Sequence, residues 1–301
     1  MLDYRIETFI TLCKERNYSK TAQILCITQP AVTQHIQYLE RFYNCKLFEY
    51  ENKQLHLTPQ GKILERMALG LHASTKRVHE LILESKTKSK CFSIGVSLTV
   101  SEYMLPLVLT KLLELEPTLN IDVSVGSSTN LIKSLKTGTK ECLLIEGTFD
   151  KQDLEHRFFC REEYIAVSSK PYDETTFREL LSETLISMDE ASGSYKLLQQ
   201  ELLKEDLTPH DFLNIIYANN LTLIKSLVKN GRGIAFIYKN AVLQELENQE
   251  LYEIPLGRLF YQDFHFVMLK NNMFIKDYLL FYDFAKNLYE KHNDIEQKKQ
   301  L

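Results

Sequence analysis

The side chains from Thr28 to Arg41 carry hydrogen-bonding chemistry at helical spacing. At 100° per residue, Gln29, Pro30, Thr33, Gln34 and Gln37 share one face with Arg41, opposite Val32, Ile36 and Leu39. A glutamine amide donates and accepts at once, which suits adenine N6 and N7, and a threonine offers a methyl for thymine or a hydroxyl for phosphate. Thr28 suits the helix cap, with Pro30 in the first turn. Lys20, Arg41, Lys46, Lys53 and His56 flank this face as candidate phosphate contacts. A second group consists of hydroxyls and one carboxyl where strands should run into helices. Ser97 and Thr99 fall at the first such junction, Ser128 at the second, Glu146 after the third strand, and Ser194 as the cap of a later helix. Hydroxyls and free N–H groups at helix starts favour a small anion, so a carboxylate-bearing metabolite is the expected ligand, with Glu146 opposing any further negative charge.

Patterns that make and break bonds are missing. The chain has no GxSxG elbow, HExxH, P-loop or GxGxxG fingerprint, and Ser85-Lys-Thr-Lys88 fits SxxK only inside a polar stretch. The six cysteines, at 13, 26, 45, 91, 142 and 160, form no CxxC, and no Cys/His cluster has zinc spacing. The reading is therefore of a non-enzyme with no metal and no cofactor.

Charge divides the chain. Residues 1–90 hold 14 Lys/Arg and 9 Asp/Glu, a net of +5; the remainder holds 22 and 31, a net of −9. A basic first part on an acidic body suggests that the first part meets a polyanion. No run approaches the length of a membrane span, and MLDYRIETF lacks the basic-then-apolar order of a secretory signal, so a cytoplasmic protein without a membrane partner is expected.

The elements that position these residues follow from periodicity. Ile6, Phe9, Ile10 and Cys13 mark one helix, and Ser19 is a candidate cap for a short second one. Cys26-Ile27 turns the chain into the helix from Thr28, which makes a helix-turn-helix. Lys46–Phe48 and Leu55–Leu57, around Asn52, read as a two-stranded wing. Thr58-Pro59 then starts a long helix. Its Leu64, Met67, Leu71, Ser74, Val78 and Leu81 recur in steps of three and four, the seam of a two-helix coiled coil and hence a dimer. Ser85–Lys90 reads as a linker. Beyond it, strands at 94–97, 121–125, 142–145, 165–167, 185–188, 215–217, 234–237 and 264–268 alternate with helices at 102–115, 129–137, 194–204 and 221–229. That order predicts an α/β body with largely parallel sheets, in two lobes.

Together these pieces resemble the LysR-type transcriptional regulators over essentially the whole chain. The resemblance is carried by Tyr18–Ala22, Thr28–Thr33, Ile36, Leu39-Glu40, Lys46–Phe48 and Leu57-Thr58 with Gly61. Further matches are Ile94–Thr99, Leu105-Pro106, Gly126–Ser128, Glu155–Arg157, Glu163–Val167 and Gly231–Ala235. It implies a winged helix-turn-helix at 1–58, a linker and dimerisation helix at 59–90, and a periplasmic-binding-protein-like effector domain at 91–301. Its first lobe would hold about 91–161 and 267–301, its second about 162–266. The resemblance also implies double-stranded DNA as partner and a homodimer or homotetramer, with a small-molecule effector in the cleft and RNA polymerase as a further partner. Gln29, Pro30 and Thr33 would sit at the family's contacting positions, and Ser97, Thr99 and Ser128 most firmly at its effector cleft. Gln34 and Tyr50 stand where the family often carries arginine, and residues 1–60 have a net charge of only +1, so one winged domain should bind weakly. Two rival readings remain: a cytosolic small-molecule-binding protein of the same fold, and a thiol-based redox regulator using Cys142 or Cys160.

Overall fold

The computed structural model describes residues 3–87, 91–270 and 272–299. The chain opens with α1 (Tyr4–Glu15), α2 (Tyr18–Ile24) and α3 (Gln29–Phe42). Asn17, not Ser19, caps α2, its side chain accepting from the Lys20 N–H at 2.9 Å. The chain leaves α1 through Arg16 at φ 51 and is extended by Asn17, which puts the cap two residues earlier than expected. Thr28 caps α3, accepting from the Ala31 N–H at 3.3 Å.

A wing follows, β1 (Phe48–Glu51) antiparallel to β2 (Gln54–Leu57). Asn52 and Lys53, at φ 49 and 62, form the two-residue turn whose twist matches a hairpin. The first strand starts at Phe48 rather than Lys46. Leu47 donates instead to the Glu40 carboxylate at 3.0 Å, and its carbonyl accepts from Thr58, so that backbone belongs to the helices. Phe9, Leu12, Ile36, Leu39, Leu47 and Leu57 are buried together beneath these elements.

The long helix α4 (Pro59–Thr87) is capped by Thr58, whose hydroxyl accepts from the Gly61 N–H at 3.0 Å. A Cβ on Gly61 would meet the Leu47 carbonyl oxygen at 2.2 Å, so only glycine lets the helix start against the wing. The helix takes in Ser85–Thr87 of the stretch read as a linker; residues 88–90, including the lysine of the SxxK match, lie outside the described residues. Its expected seam is divided. Met67, Leu71, Val78 and Leu81 are exposed, joined by Ile63 and Ile82, whereas Leu64 packs on the first domain's core and Ser74 is buried, accepting from the Met273 N–H.

The rest builds one nine-stranded sheet. Its strands are β3 (Cys91–Val96), β4 (Asn120–Val125), β5 (Cys142–Glu146), β6 (Leu154–Ser168), β7 (Thr184–Ser187), β8 (Asn214–Tyr217), β9 (Ile234–Tyr238), β10 (Tyr252–Ile254) and β11 (Phe260–Leu269). The helices are α5 (Leu105–Leu115), entered by a π turn at Val100–Met104, α6 (Ser128–Lys136), α7 (Phe177–Leu180), α8 (Gly193–Leu203), α9 (Leu221–Lys229), α10 (Leu243–Glu247) and α11 (Ile275–Lys299). The order is β4-β3-β5-β11-β6-β9-β7-β8, with β10 on β6. The sheet is not largely parallel throughout. Parallel blocks β4-β3-β5 and β9-β7-β8 are joined by β11 and β6, which pair antiparallel to each other and to their neighbours. The lobe limits near 161 and 267 thus fall inside β6 and β11, strands that run through both halves. Among the described residues, no helix is long and apolar enough to cross a membrane.

Candidate functional site

Burial fixes which way α3 faces. Val32, Ile36 and Leu39 go into the core, leaving Gln29, Pro30, Gln34, Gln37 and Arg41 exposed and Thr33 half-buried. Gln29 Nε2 donates to Thr33 Oγ1 at 3.2 Å, and that hydroxyl donates to the Gln29 carbonyl, so the two polar side chains are held as a pair. Arg41 Nε donates to the Gln37 carbonyl at 3.2 Å, which points its fork along the helix. A groove of about 700 Å³ separates the start of α3 from the wing. It brings Gln29 together with Lys53 and His56, and with Arg16, Ser19, Tyr50 and Gln54. Arg16 was not among the sequence candidates, because its place depends on a left-handed backbone at the end of α1. Lys20 and Lys46 lie outside the groove lining, in ion pairs with Glu15 at 2.6 Å and Glu40 at 2.8 Å. Both lysines are well exposed, and such pairs contribute so little that either ammonium can exchange its partner.

In the body, a cavity of about 230 Å³ lies at the carboxyl ends of β3, β4, β5 and β7. Ser97, Ser128 and Glu146 line it, as do Asp189, Ser192, Gly193 and Asn219, which the sequence did not single out. Asp189 and Asn219 hold each other: Asn219 Nδ2 donates to Asp189 Oδ2 at 2.8 Å, and the Asp189 N–H to Asn219 Oδ1 at 3.1 Å. Two expected roles shift. Ser192, not Ser194, caps α8, and Ser194 is buried in the first turn, its carbonyl accepting from Tyr164, so it is absent from the lining. Thr99 is likewise buried and reaches the cavity only through Glu146.

Glu146 organises the cavity. β5 is buried at every position, so its last side chain arrives inside the protein. Glu146 is 3% exposed, and its carboxyl accepts from Ser97 Oγ and, at 3.5 Å, Thr99 Oγ1. Burial raises its pKa, with the hydroxyl hydrogen bonds opposing. Ser128 donates to its backbone carbonyl at 3.2 Å. The charged side chains in the lining are Glu146 and Asp189, with no Lys, Arg or His among the described residues there. This cavity by itself therefore offers a carboxylate ligand no cationic partner.

The raised pKa has a consequence for stability. From the ordinary value of 4.5 upward, the folded state holds the Glu146 proton more tightly than the unfolded state, so this group lowers stability as pH rises. Glu146→Gln removes the penalty. Its melting temperature should match the parent's near the acid end, where both side chains are neutral, and exceed it at alkaline pH. A constant difference at every pH, read by thermal denaturation, would exclude a titrating Glu146.

Residues 4–62 match the family model for the bacterial regulatory helix-turn-helix protein, lysR family, and residues 86–288 that for the LysR substrate binding domain. The chain is 27% identical over 257 residues to the HTH-type transcriptional regulator CysL of Bacillus subtilis, covering 82% of this chain and 83% of that one. It is 25% identical over 267 residues to CitR of the same species, covering 84% and 88%. Among solved structures, ArgP from Mycobacterium tuberculosis superposes with a TM-score of 0.63 at 13% identity, covering 96% of this chain and 97% of that one. A peroxide-bound OxyR variant from Corynebacterium glutamicum gives 0.62 at 17%, covering 99% and 95%. At these identities the structural likeness concerns the fold.

Proposed function

The chain belongs to the LysR family of transcriptional regulators, non-enzymatic proteins that bind DNA, and from that premise we propose a division of labour along it. Residues 1–58 bind operator DNA, 59–90 dimerise, and 91–301 bind a small-molecule effector that changes how the oligomer engages DNA. The protein acts in the cytoplasm as a homodimer or homotetramer, with RNA polymerase as a further partner. The observation that carries the reading is the exposed polar face of α3, where Gln29, paired with Thr33, also lines the groove beside the wing. α3 lies in the major groove; Thr28, Pro30, Gln34 and Gln37 share its contacting face. Lys20, Arg41, Lys46, Lys53 and His56, with Arg16 added, meet phosphates. Few phosphates are neutralised per domain, so affinity depends on several domains engaging one duplex. In the cleft, Ser97, Ser128 and Glu146 contact the effector directly, and Thr99 and Ser194 act from behind. An effector changes transcription only through unequal affinity for two arrangements of the oligomer.

The test is specific binding by Gln29→Ala and Thr33→Ala. Each should cost about 1–3 kcal/mol at the operator in a gel-shift titration, roughly a fivefold to 150-fold loss. Neither side chain supports the core, so melting should stay within about 0.5 kcal/mol of the parent. Unaltered footprints for both variants would remove α3 from the groove.

A thiol switch at Cys142 or Cys160 has the wrong environment. Both are buried and burial pushes both thiols up, whereas a reactive sulfur needs an accessible, low-pKa thiolate.

A further inference from the structure

We propose, resting on the ligand-cleft reading above, that the effector is a small zwitterion whose ammonium or guanidinium group seats on Glu146 and whose anionic end faces Lys133, Lys136 and Lys196. Three observations lead there. Glu146 is buried in a cavity wall with two hydroxyl donors and no cation, an expensive placement for a carboxyl unless something arrives to complete it. The ionisable groups facing it add none: Asp189 shares the lining, and Tyr164 of β6 and Tyr238 of β9 are phenols pushed up mainly by their own burial.

Beyond Glu146 lies a second, larger cavity of about 620 Å³. Glu146, Ser128 and Gly193 line both spaces, so the carboxyl stands between them. A Cβ on Gly193 would come within 2.6 Å of the Glu146 Cγ and 2.9 Å of its Oε1, so glycine there leaves the carboxyl its position.

Cationic side chains line only one of the two spaces. The smaller has Glu146 and Asp189 as its charged groups; the larger adds Lys133, Lys136 and Lys196, none in an ion pair among the described residues. Glu146, Asp150 and Glu201 balance those lysines in the larger lining, but Glu201 is occupied by Lys204 at 2.6 Å. A ligand with one cationic and one anionic end fits this polarity, and a charge-assisted contact to a carboxylate is about twice as strong as a neutral one. A seated cation lowers the Glu146 pKa that burial has raised, so in the pH range where the empty site still holds its proton, binding releases that proton to solvent.

The experiment uses the full chain, with thermal shift and calorimetry against glycine, β-alanine, 4-aminobutyrate, lysine, arginine, ethylamine and succinate. At least one of the zwitterions should raise the melting temperature, more than ethylamine or succinate does, with a binding enthalpy that varies with the buffer's ionisation heat. Glu146→Gln should weaken that probe at least tenfold and abolish the buffer dependence. The proton release is read on the parent protein and needs no variant. No shift from any ammonium probe up to about 10 mM overturns the inference; so does equal binding by Glu146→Gln, or stabilisation by succinate alone. Ser128→Trp, which fills the cleft, separates the two levels. If succinate binding is lost in Ser128→Trp but kept in Glu146→Gln, the zwitterion falls and the cleft stands. If a probe binds Ser128→Trp as well as the parent, the cleft reading falls with it.

Discussion

A glutamate placed at Met67 or Leu71 is expected to leave the protein folded but monomeric, with operator affinity reduced at least a hundredfold. α4 presents Ile63, Met67, Leu71, Val78 and Ile82 to solvent in steps of four, four, seven and four, which keeps them in one apolar stripe along the helix. Met67 and Leu71 are 46% and 53% exposed, a poor use of large apolar side chains unless a second copy covers them. The opposite side of the same helix is already occupied: Ala68, Ala73 and Ser74 are buried against the protein's own domains. A charge at 67 or 71 therefore lies on the exposed face, where the proposed dimer would place its partner, and spares the core. Two like charges across a seam repel, and a dissociated winged domain loses the effective-concentration gain of about 10²–10⁴ that linkage provides. Sedimentation equilibrium and gel-shift titration read the two effects together. A dimer that survives both substitutions would show that the subunits meet elsewhere.

The legible parts of this chain are those where one local signal suffices. Val32, Ile36 and Leu39, read with Thr28 and Pro30, fix both the limits and the facing of α3, because a single buried stripe has a single opposite side. Short apolar runs mark the centres of β5, β7 and β9 for the same reason. Only three of the 15 residues of β6 are legible as strand, since Glu155–Arg157 and Arg161–Glu163 break the apolar run, and the burial of Glu162 depends on its partners Asn240 and Tyr289 from distant elements. α11 is not legible locally: Tyr278, Ala285 and Tyr289 are buried, but their meaning comes from the sheet they cover. α4 has apolar residues on two faces, and no local rule separates them: Leu64 and Ser74 share the spacing of Met67, Leu71 and Val78 yet pack against the protein's own domains. In the cleft, strand ends are readable from the apolar runs, and the residues that follow them, Ser97, Ser128 and Glu146, line the cavity. Asp189 and Asn219 pair across 30 positions, a contact only the assembled sheet creates.

Arg77→Ala is expected to produce the largest loss of stability of any single polar substitution outside the cleft, and to uncouple the effector from DNA. Arg77 lies on α4 and is 16% exposed, its Nε 3.1 Å from the Glu141 carboxylate and one terminal nitrogen donating to the Cys91 carbonyl at 3.0 Å. Glu141, 10% exposed, also accepts from the Ser93 N–H at 2.8 Å and Tyr278 at 3.3 Å. Removing the guanidinium leaves a largely buried carboxylate without its cation, an event that costs about 3–5 kcal/mol in comparable pairs. The loss should depend on pH. Deprived of Arg77, Glu141 titrates higher than in the parent, so the deficit is full where the group is ionised and shrinks as acid neutralises it. Arg77→Lys should recover only part, because an ammonium cannot reach the carboxylate and the Cys91 carbonyl in the same forked geometry. The functional consequence follows from where Glu141 sits. It immediately precedes β5, the strand that ends in Glu146, while Arg77 belongs to the helix that follows the winged domain. Under the proposed effector reading, a shift of β5 on ligand binding would act on α4 through this pair. Arg77→Ala should still bind operator and still be stabilised by a cleft ligand, yet show the same footprint with and without it. Linkage makes the result checkable from the other side: operator DNA should then no longer change the ligand's affinity. A footprint that still responds to ligand in Arg77→Ala would place the coupling on another path.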